Sequence, residues 1–388
     1  MKIVYVANIR IPTEKAHGFQ IMKMCESFSL ADTRVDLLVP TRKNKFLADQ
    51  DPFDYYQVKR RFTIKKLFTP DPRWLLKFPA GSYIKAQGAF FVWSLWRYLR
   101  RLRDDNKDDI FFYTRDEYLL PFLQRFSSRV VWECHALPNK KKFYKKYFQN
   151  CHKILVLTSV LKQQLVDLGI GEEKIMVTPD AVDLEIFGIT LNKRSARNKL
   201  GLPVDKIILG YTGSFRTKNM DKGIKDIFRA IKILGRNDIL FVAIGGEAKD
   251  LKYYQQIAQT EGVATQVLLL SRVTQCQLAI YQQAFDILLM PFPNLEHYRY
   301  FMSPMKMFEY MAAQRPIIAS DLPTIREVLN DSNCVFCHPD DPQDLADKIS
   351  QILVDDKLVN QISTQAYNDV KNYTWVKRAE NILAQCYG

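Results

Sequence analysis

Two stretches of this sequence combine residue types that could hold a phosphorylated diol. In Ser303-Pro-Met-Lys-Met-Phe-Glu309, Ser303 and Pro304 have the form of an N-cap and first-turn pair, so Met305 would sit at a helix start. The unpaired N–H groups of such an end attract phosphate. Lys306 adds a mobile cation, and Glu309 can accept two hydrogen bonds from a vicinal diol such as a ribose. A capped surface helix with an i,i+3 ion pair is the alternative reading. The second stretch, Thr212-Gly-Ser-Phe-Arg-Thr-Lys-Asn-Met-Asp-Lys-Gly223, puts Gly213 and the cations Arg216, Lys218 and Lys222 after a strand, in the manner of a pyrophosphate clamp. Its spacing fits neither a Walker loop nor a Gly-x-Gly-x-x-Gly turn. A solvated basic loop is the commoner fate of such a run.

The elements that must position these residues alternate. Short apolar runs at Lys2–Ala7, Val35–Val39, Ile110–Tyr113, Val130–Cys134 and Ile154–Leu157 are too short for helices, and most precede a helical stretch. The alternation breaks around residues 178–206 and resumes at Ile207–Tyr211, Leu240–Ile244, Val267–Leu270, Ile287–Met290, Pro316–Ala319 and Val335-Phe336. Such alternation predicts α/β architecture: two Rossmann-like, doubly wound domains, residues 1–190 and 191–373, facing a cleft. The amphipathic segment 374–388 is expected to pack back on the first. Ligands in parallel sheets bind outside the carboxyl ends of the strands, where both stretches fall. Residues 40–110, broken by Pro52, Pro70, Pro72 and Pro79, read as an insertion with helical character only over Ala86–Arg103.

Composition narrows the setting. Of the formal charge of +14, residues 42–150 hold +13, with 24 Lys and Arg against 11 Asp and Glu. That excess calls for a local anionic partner. Three runs, 59–66, 97–103 and 140–146, mix cations with aromatics, as suits an anionic membrane surface, a single-stranded nucleic acid or a solvated face. Seven scattered cysteines and a start that reads as a strand predict a reduced cytoplasmic protein, and the three basic runs allow a peripheral position at the membrane's inner face. Cys334-Val-Phe-Cys-His338 has the spacing of a haem attachment site but falls on an apolar strand, and no second ligand pair suggests zinc.

Taken in order, these motifs resemble the retaining glycosyltransferases of family 4, with the glycosyltransferase B fold, over most of the chain. Gly18, beside His17, resembles the family's glycine loop at the donor diphosphate. Val130-Val-Trp-Glu-Cys-His135 resembles the strand that ends in an active-site histidine. Val177-Thr-Pro-Asp-Ala-Val-Asp183 resembles the family's Pro-Asn-Gly-Val-Asp turn, with Asp180 and Ala181 substituted. Arg216 and Lys222 match the pair that holds the donor phosphates, while Gly245-Gly246 and Ser271-Arg272-Val273 fall at its glycine turn and base-contacting loop. Glu309 matches the second of two family carboxylates that have seven residues between them, the one that binds ribose. Phe301 stands where the first would be, as in members with a Ser-Pro-x-Lys stretch.

The resemblance implies transfer of a sugar, with retention, from a UDP- or GDP-sugar to a hydroxyl acceptor, lipid-linked in many members. His135, Arg216 and Lys222 would be catalytic. Gly18, Gly213, Ser271, Arg272, Val273, Ser303, Pro304, Met305, Lys306 and Glu309 would bind the donor. Cations set against the leaving phosphate imply neither metal nor cofactor, and donor-site resemblance favours membrane over nucleic acid. The alternative from another class is a non-catalytic nucleic-acid-binding α/β protein using the basic 42–150 segment.

Overall fold

The computed structural model describes residues 1–42, 44, 47–78, 81–101, 110–217 and 219–387. Lys218, Leu102 and Arg103 lie outside the described residues. By contacts the chain divides into two units, one of Met1–Thr178 with the C-terminal helix Trp375–Tyr387, the other of Pro179–Thr374. That boundary stands twelve residues before the expected 190/191 junction.

The first unit is built on a seven-stranded parallel sheet, β1 (Lys2–Val6), β2 (Arg34–Pro40), β3 (Thr63–Leu67), β4 (Ile110–Thr114), β5 (Val130–Cys134), β6 (Lys153–Val156) and β7 (Ile175–Val177), in the order β3-β2-β1-β4-β5-β6-β7. Its central strands are apolar on both faces, as a sheet covered on each side requires. β3 escapes a pattern reading because Thr63-Ile-Lys-Lys-Leu67 carries two lysines. It is an edge strand, and Lys65 donates to the buried Asp36 carboxylate at 2.9 Å and to the Tyr98 hydroxyl at 3.0 Å. Residues 40–110 therefore hold this strand and the helix Ser82–Arg101 as well as the short helix Pro52–Tyr56. The helix Trp375–Tyr387 packs on this unit through Trp375 against Phe19 and through Arg378.

The second unit has a six-stranded parallel sheet, β8 (Ile207–Thr212), β11 (Ile239–Gly246), β12 (Val267–Ser271), β13 (Ile287–Met290), β14 (Ile317–Ser320) and β15 (Val335–Cys337), in the order β12-β11-β8-β13-β14-β15. A two-stranded hairpin, β9 (Arg216–Thr217) and β10 (Met220–Asp221), rises from the end of β8. Cys334 and Cys337 are buried, and among the described residues no cluster of three His, Cys, Asp or Glu side chains is arranged to hold a metal. Strand order reverses at β1/β4 in the first unit and at β8/β13 in the second, and ligand crevices of parallel sheets open at such points. Among the described residues no helix is long and apolar enough to cross a membrane.

Candidate functional site

At the second unit's switch point, β8 ends in Thr212 and the chain turns at Gly213, whose φ of +104° favours glycine. A Cβ there would meet Lys306 Cε at 3.2 Å, and one on Gly245 would meet the Gly213 carbonyl at 2.6 Å. The two glycines let the ends of β8 and β11 close down beside the Lys306 side chain.

Lys306 and Glu309 lie one turn apart on the helix Met305–Ala312. The helix start differs from the sequence expectation. Pro304 is the N-cap and offers no side-chain cap, while the Ser303 hydroxyl accepts the Asp180 N–H at 2.9 Å. Ser303 thus ties the turn after Thr178 to this helix and leaves the helix N–H groups uncapped. The i,i+3 ion pair does not form. Lys306 Nζ is buried without a hydrogen-bond partner, 3.4 Å from the centroid of the Tyr211 ring. Burial, then the neighbouring Lys222 charge, holds its pKa well below the usual lysine range. Burial raises Glu309 to about 7 against the pull of Lys306.

Gln282, on the helix Gln275–Ala284, closes the niche. Its Nε2 donates to Thr212 Oγ1 at 3.3 Å and to Glu309 Oε2 at 3.5 Å, and its Oε1 is buried without a partner. A lysine amine without a hydrogen-bond partner thus lines the same niche as an amide oxygen that lacks a donor and a carboxyl held by one long contact. Such groups are costly to bury unless something supplies the missing bonds.

The hairpin after β8 brings the remaining cations. Lys222 Nζ donates to Ser214 Oγ at 2.9 Å, and burial, then Arg272, lowers its pKa to about 8. Arg216 is aimed by Asp250, to which its Nε donates at 2.8 Å, and it lies over the Tyr253 ring. Asp221 accepts the Gly223 N–H at 2.6 Å and the Tyr254 hydroxyl, which locks the turn carrying Lys222. Ser271, the last residue of β12, and Arg272 just after it are exposed, Arg272 lying 3.7 Å from Glu247, and Val273 packs against the core. Gly213, Lys306, Glu309 and Lys222 are therefore gathered at one sheet edge with Arg216 on the adjoining hairpin. Sequence reasoning missed Gln282 and Asp250. A polar pair, Gln282-Gln283, on a buried helix face was the available signal.

The first unit holds the remaining candidates. His135, just past β5, contacts Glu133 Oε1 through Nε2 at 2.9 Å. Glu133 is fully buried and also accepts from the Tyr113 hydroxyl at 2.5 Å and Arg378 Nη2 at 2.9 Å. Burial alone would raise Glu133, but Arg378, His135 and Arg115 outweigh it and hold it well below the usual carboxylate range. Burial, then Arg115, pushes His135 down to about 4, so the ring is neutral. With a carboxylate facing Nε2, that nitrogen carries the proton and Nδ1 is the acceptor. His17 is likewise lowered to about 4 by burial and then Arg115. Gly18 lies in the first turn of the helix Ala16–Leu30, and a Cβ there would meet the Tyr56 hydroxyl at 2.3 Å. Its missing side chain is space for Tyr56, which is bonded to the backbone of Thr13.

With this geometry in place, the comparisons with known proteins are specific. Residues 192–369 match the family model of the glycosyl transferases group 1. The chain is 17% identical to the sucrose-phosphate synthase of Thermosynechococcus elongatus, with a TM-score of 0.77 over 100% of this chain and 98% of that one. To Anabaena HepE, solved in complex with UDP, it is 13% identical, with a TM-score of 0.71 over 99% of both chains. A D-inositol 3-phosphate glycosyltransferase of Stackebrandtia nassauensis is 25% identical over 240 residues, 60% of this chain and 52% of the relative. The chain spans about half the length of the curated relatives it matches. Its two parallel-sheet α/β units have the glycosyltransferase B fold.

Proposed function

We propose that this protein is a metal-independent, retaining glycosyltransferase that moves a sugar from a UDP- or GDP-sugar to a hydroxyl acceptor. The observation that carries the reading is the niche at the end of β8, where Lys306 Nζ and Gln282 Oε1 are buried without partners beside Glu309. A nucleoside diphosphate supplies the missing bonds: phosphate oxygens to Lys306, Lys222 and Arg216, and ribose hydroxyls to Glu309 and Gln282. As the glycosidic bond breaks, negative charge grows on the leaving phosphate, and preformed cations at that point stabilise it without a metal. His135 is read as contacting the sugar through Nδ1. That HepE was solved with UDP supports the donor class. Titrating UDP and GDP against the wild type and Glu309→Ala tests it. Saturable binding of one nucleotide, weakened at least tenfold by the substitution, is expected, and binding of neither sinks the reading.

Two of the shifted groups, Glu309 and Lys222, give the donor affinity a bell-shaped pH profile. Glu309 must be ionised to accept ribose hydroxyls, so affinity rises with pH up to about 7. Lys222 must be charged to hold phosphate, so affinity falls above about 8. Isothermal titration with UDP-glucose and GDP-mannose from pH 5.5 to 9.5 measures both limbs. Glu309→Gln should abolish the acid limb and Lys222→Arg should move the alkaline limb upward. A flat profile contradicts the assignment.

The acceptor is read as lipid-linked, met at an anionic membrane surface. From 72 to 101 the sequence holds six Lys and Arg and no acid, and Trp74, Leu76, Phe78, Ile84 and Trp93 are exposed there. Soluble surfaces rarely leave such side chains uncovered together, and Trp beside Arg suits a headgroup region. In the 59–66 run, Arg60 and Lys65 already pair with Asp51 and Asp36, which leaves more of the work to the exposed cations of 97–101 and 140–146. Neutralising Lys140–Lys142, Lys145 and Lys146 should cut sedimentation with phosphatidylglycerol vesicles more than tenfold, at about 1 kcal/mol per cation, with nucleotide affinity unchanged. Collapse of nucleotide affinity would refute that division of labour. The nucleic-acid alternative draws no support from the relatives named above.

A further inference from the structure

The first unit gathers three guanidinium groups at its own switch point. Asn8 follows β1 and Asp116 follows β4, and the Asn8 N–H donates to Asp116 Oδ2 at 2.8 Å across the place where strand order reverses. Arg10, Arg42 and Arg115 follow β1, β2 and β4. Arg42 Nη2 donates to the Asn8 carbonyl at 2.9 Å and to its side-chain oxygen at 3.1 Å, and Arg10 Nη2 donates to the Tyr83 hydroxyl at 3.3 Å. Arg115 Nη1 donates to Gln20 Oε1. No carboxylate pairs with Arg10 or Arg42 among the described residues, and the Nε of each is buried without a hydrogen-bond partner.

Carboxylates lie within electrostatic reach of the cluster, none of them in an ion pair with Arg10 or Arg42 among the described residues. Asp116 accepts from Asn8 and is drawn down by Arg115 and Arg42, although burial leaves it raised. Asp71 is engaged by Arg73 at 3.0 Å and by the Tyr83 hydroxyl at 2.5 Å. Asp116 is reached by Arg42 and Arg115, Asp71 by Arg10 and Glu133 by Arg115, yet no ion pair closes on Arg10 or Arg42 among the described residues, and hydroxyl and amide oxygens only partly satisfy their N–H donors. Guanidinium is the group best matched to phosphate in charge and fork geometry, and an unmet buried N–H has a cost that a bound anion removes.

We propose that this edge of the first unit is a binding site for the phosphate group of a phosphorylated acceptor, held by Arg10 and Arg42. Arg115, within electrostatic reach of both Asp116 and His135, links the phosphate end to the histidine. The word acceptor rests on the transfer reading above, whereas the phosphate site rests on the arginines alone.

The test uses the full-length chain carrying Arg216→Gln and Lys222→Gln, so that phosphate captured by the second unit does not contribute. Inorganic phosphate is titrated at constant ionic strength and followed by phosphorus NMR line width, with acetate as a parallel arm. Saturable phosphate binding is expected, weakened at least tenfold by adding Arg10→Gln and Arg42→Gln. Arg10→Lys with Arg42→Lys, which keeps charge but loses the fork, should fall between. Circular dichroism melts identify variants that fail to fold, and in that event the lysine pair decides. Absence of saturable binding, equal binding after both glutamine substitutions, or acetate binding as tightly as phosphate overturns the proposal. Failure of the donor reading shows separately, as loss of UDP and GDP binding in the unsubstituted chain.

Discussion

Lys222→Ala is expected to lower the rate of donor turnover by about 10²–10³-fold, the usual loss when one preformed donor to a developing anion is removed. Lys222 is set by the hairpin after β8 and by the Asp221 turn, with its Nζ on Ser214 Oγ. It enters that position already desolvated, as its pKa of about 8 records. A cation poorly hydrated before the ligand arrives loses little solvation when phosphate charge develops, so its effect is concentrated in the transition state. Removing a buried ammonium should leave the unfolding midpoint unchanged or slightly raised, which separates a chemical loss from a folding one. Release of free sugar or of the nucleoside diphosphate from the donor is the readout. A loss smaller than about threefold would take Lys222 out of the chemistry. Gly223→Ala is not a substitute experiment, because the added Cβ would stand 1.8 Å from the Pro291 carbonyl and move the whole turn.

Most of this arrangement was legible in the sequence because strand ends in a parallel sheet are where ligand-binding residues collect, and alternation of short apolar runs with helices locates those ends. Arg216 and Lys222 follow β8, and His135 follows β5, as that pattern requires. What the pattern could not convey depended on partners remote in sequence. Ser303 reads as a cap because of Pro304, yet its hydroxyl is taken by an N–H 123 residues away. Gly18 reads as a loop glycine, but the space it leaves belongs to Tyr56. Glu133 sits in an apolar strand, where a lone acid signals only that a partner must exist. The partner, Arg378, comes from the C-terminal helix, 245 residues on. Gln282 was hidden for the same reason: a helix period shows which face is buried, not which buried amide lacks a bond.

Glu133→Ala is expected to destabilise the first unit by about 3–5 kcal/mol, the cost of leaving one member of a buried ion pair without its counter-charge. Arg378 would keep its contacts to the Thr178 carbonyl and Met24 and lose the Glu133 carboxylate. Since Trp375–Tyr387 is tied to the unit through this arginine and Trp375, the helix should loosen first, seen as faster amide exchange over 375–387 before global melting changes. Glu133→Ala with Arg378→Met should recover most of the loss, because burying neither charge avoids the desolvation that makes a broken pair expensive. The pH dependence has a fixed sign. The folded pKa of Glu133 is depressed, so its stabilisation is fully present above the unfolded value near 4.5 and is lost as pH falls through the lower folded value. Wild type should therefore lose stability in acid relative to Glu133→Gln, whose amide does not titrate. The same carboxylate holds the proton of His135 on Nε2, so Glu133→Gln should also release the ring to the other tautomer, visible in its nitrogen chemical shifts. Retention of the Nε2–H form and an unchanged acid limb would show that Glu133 neither orients His135 nor anchors the terminal helix.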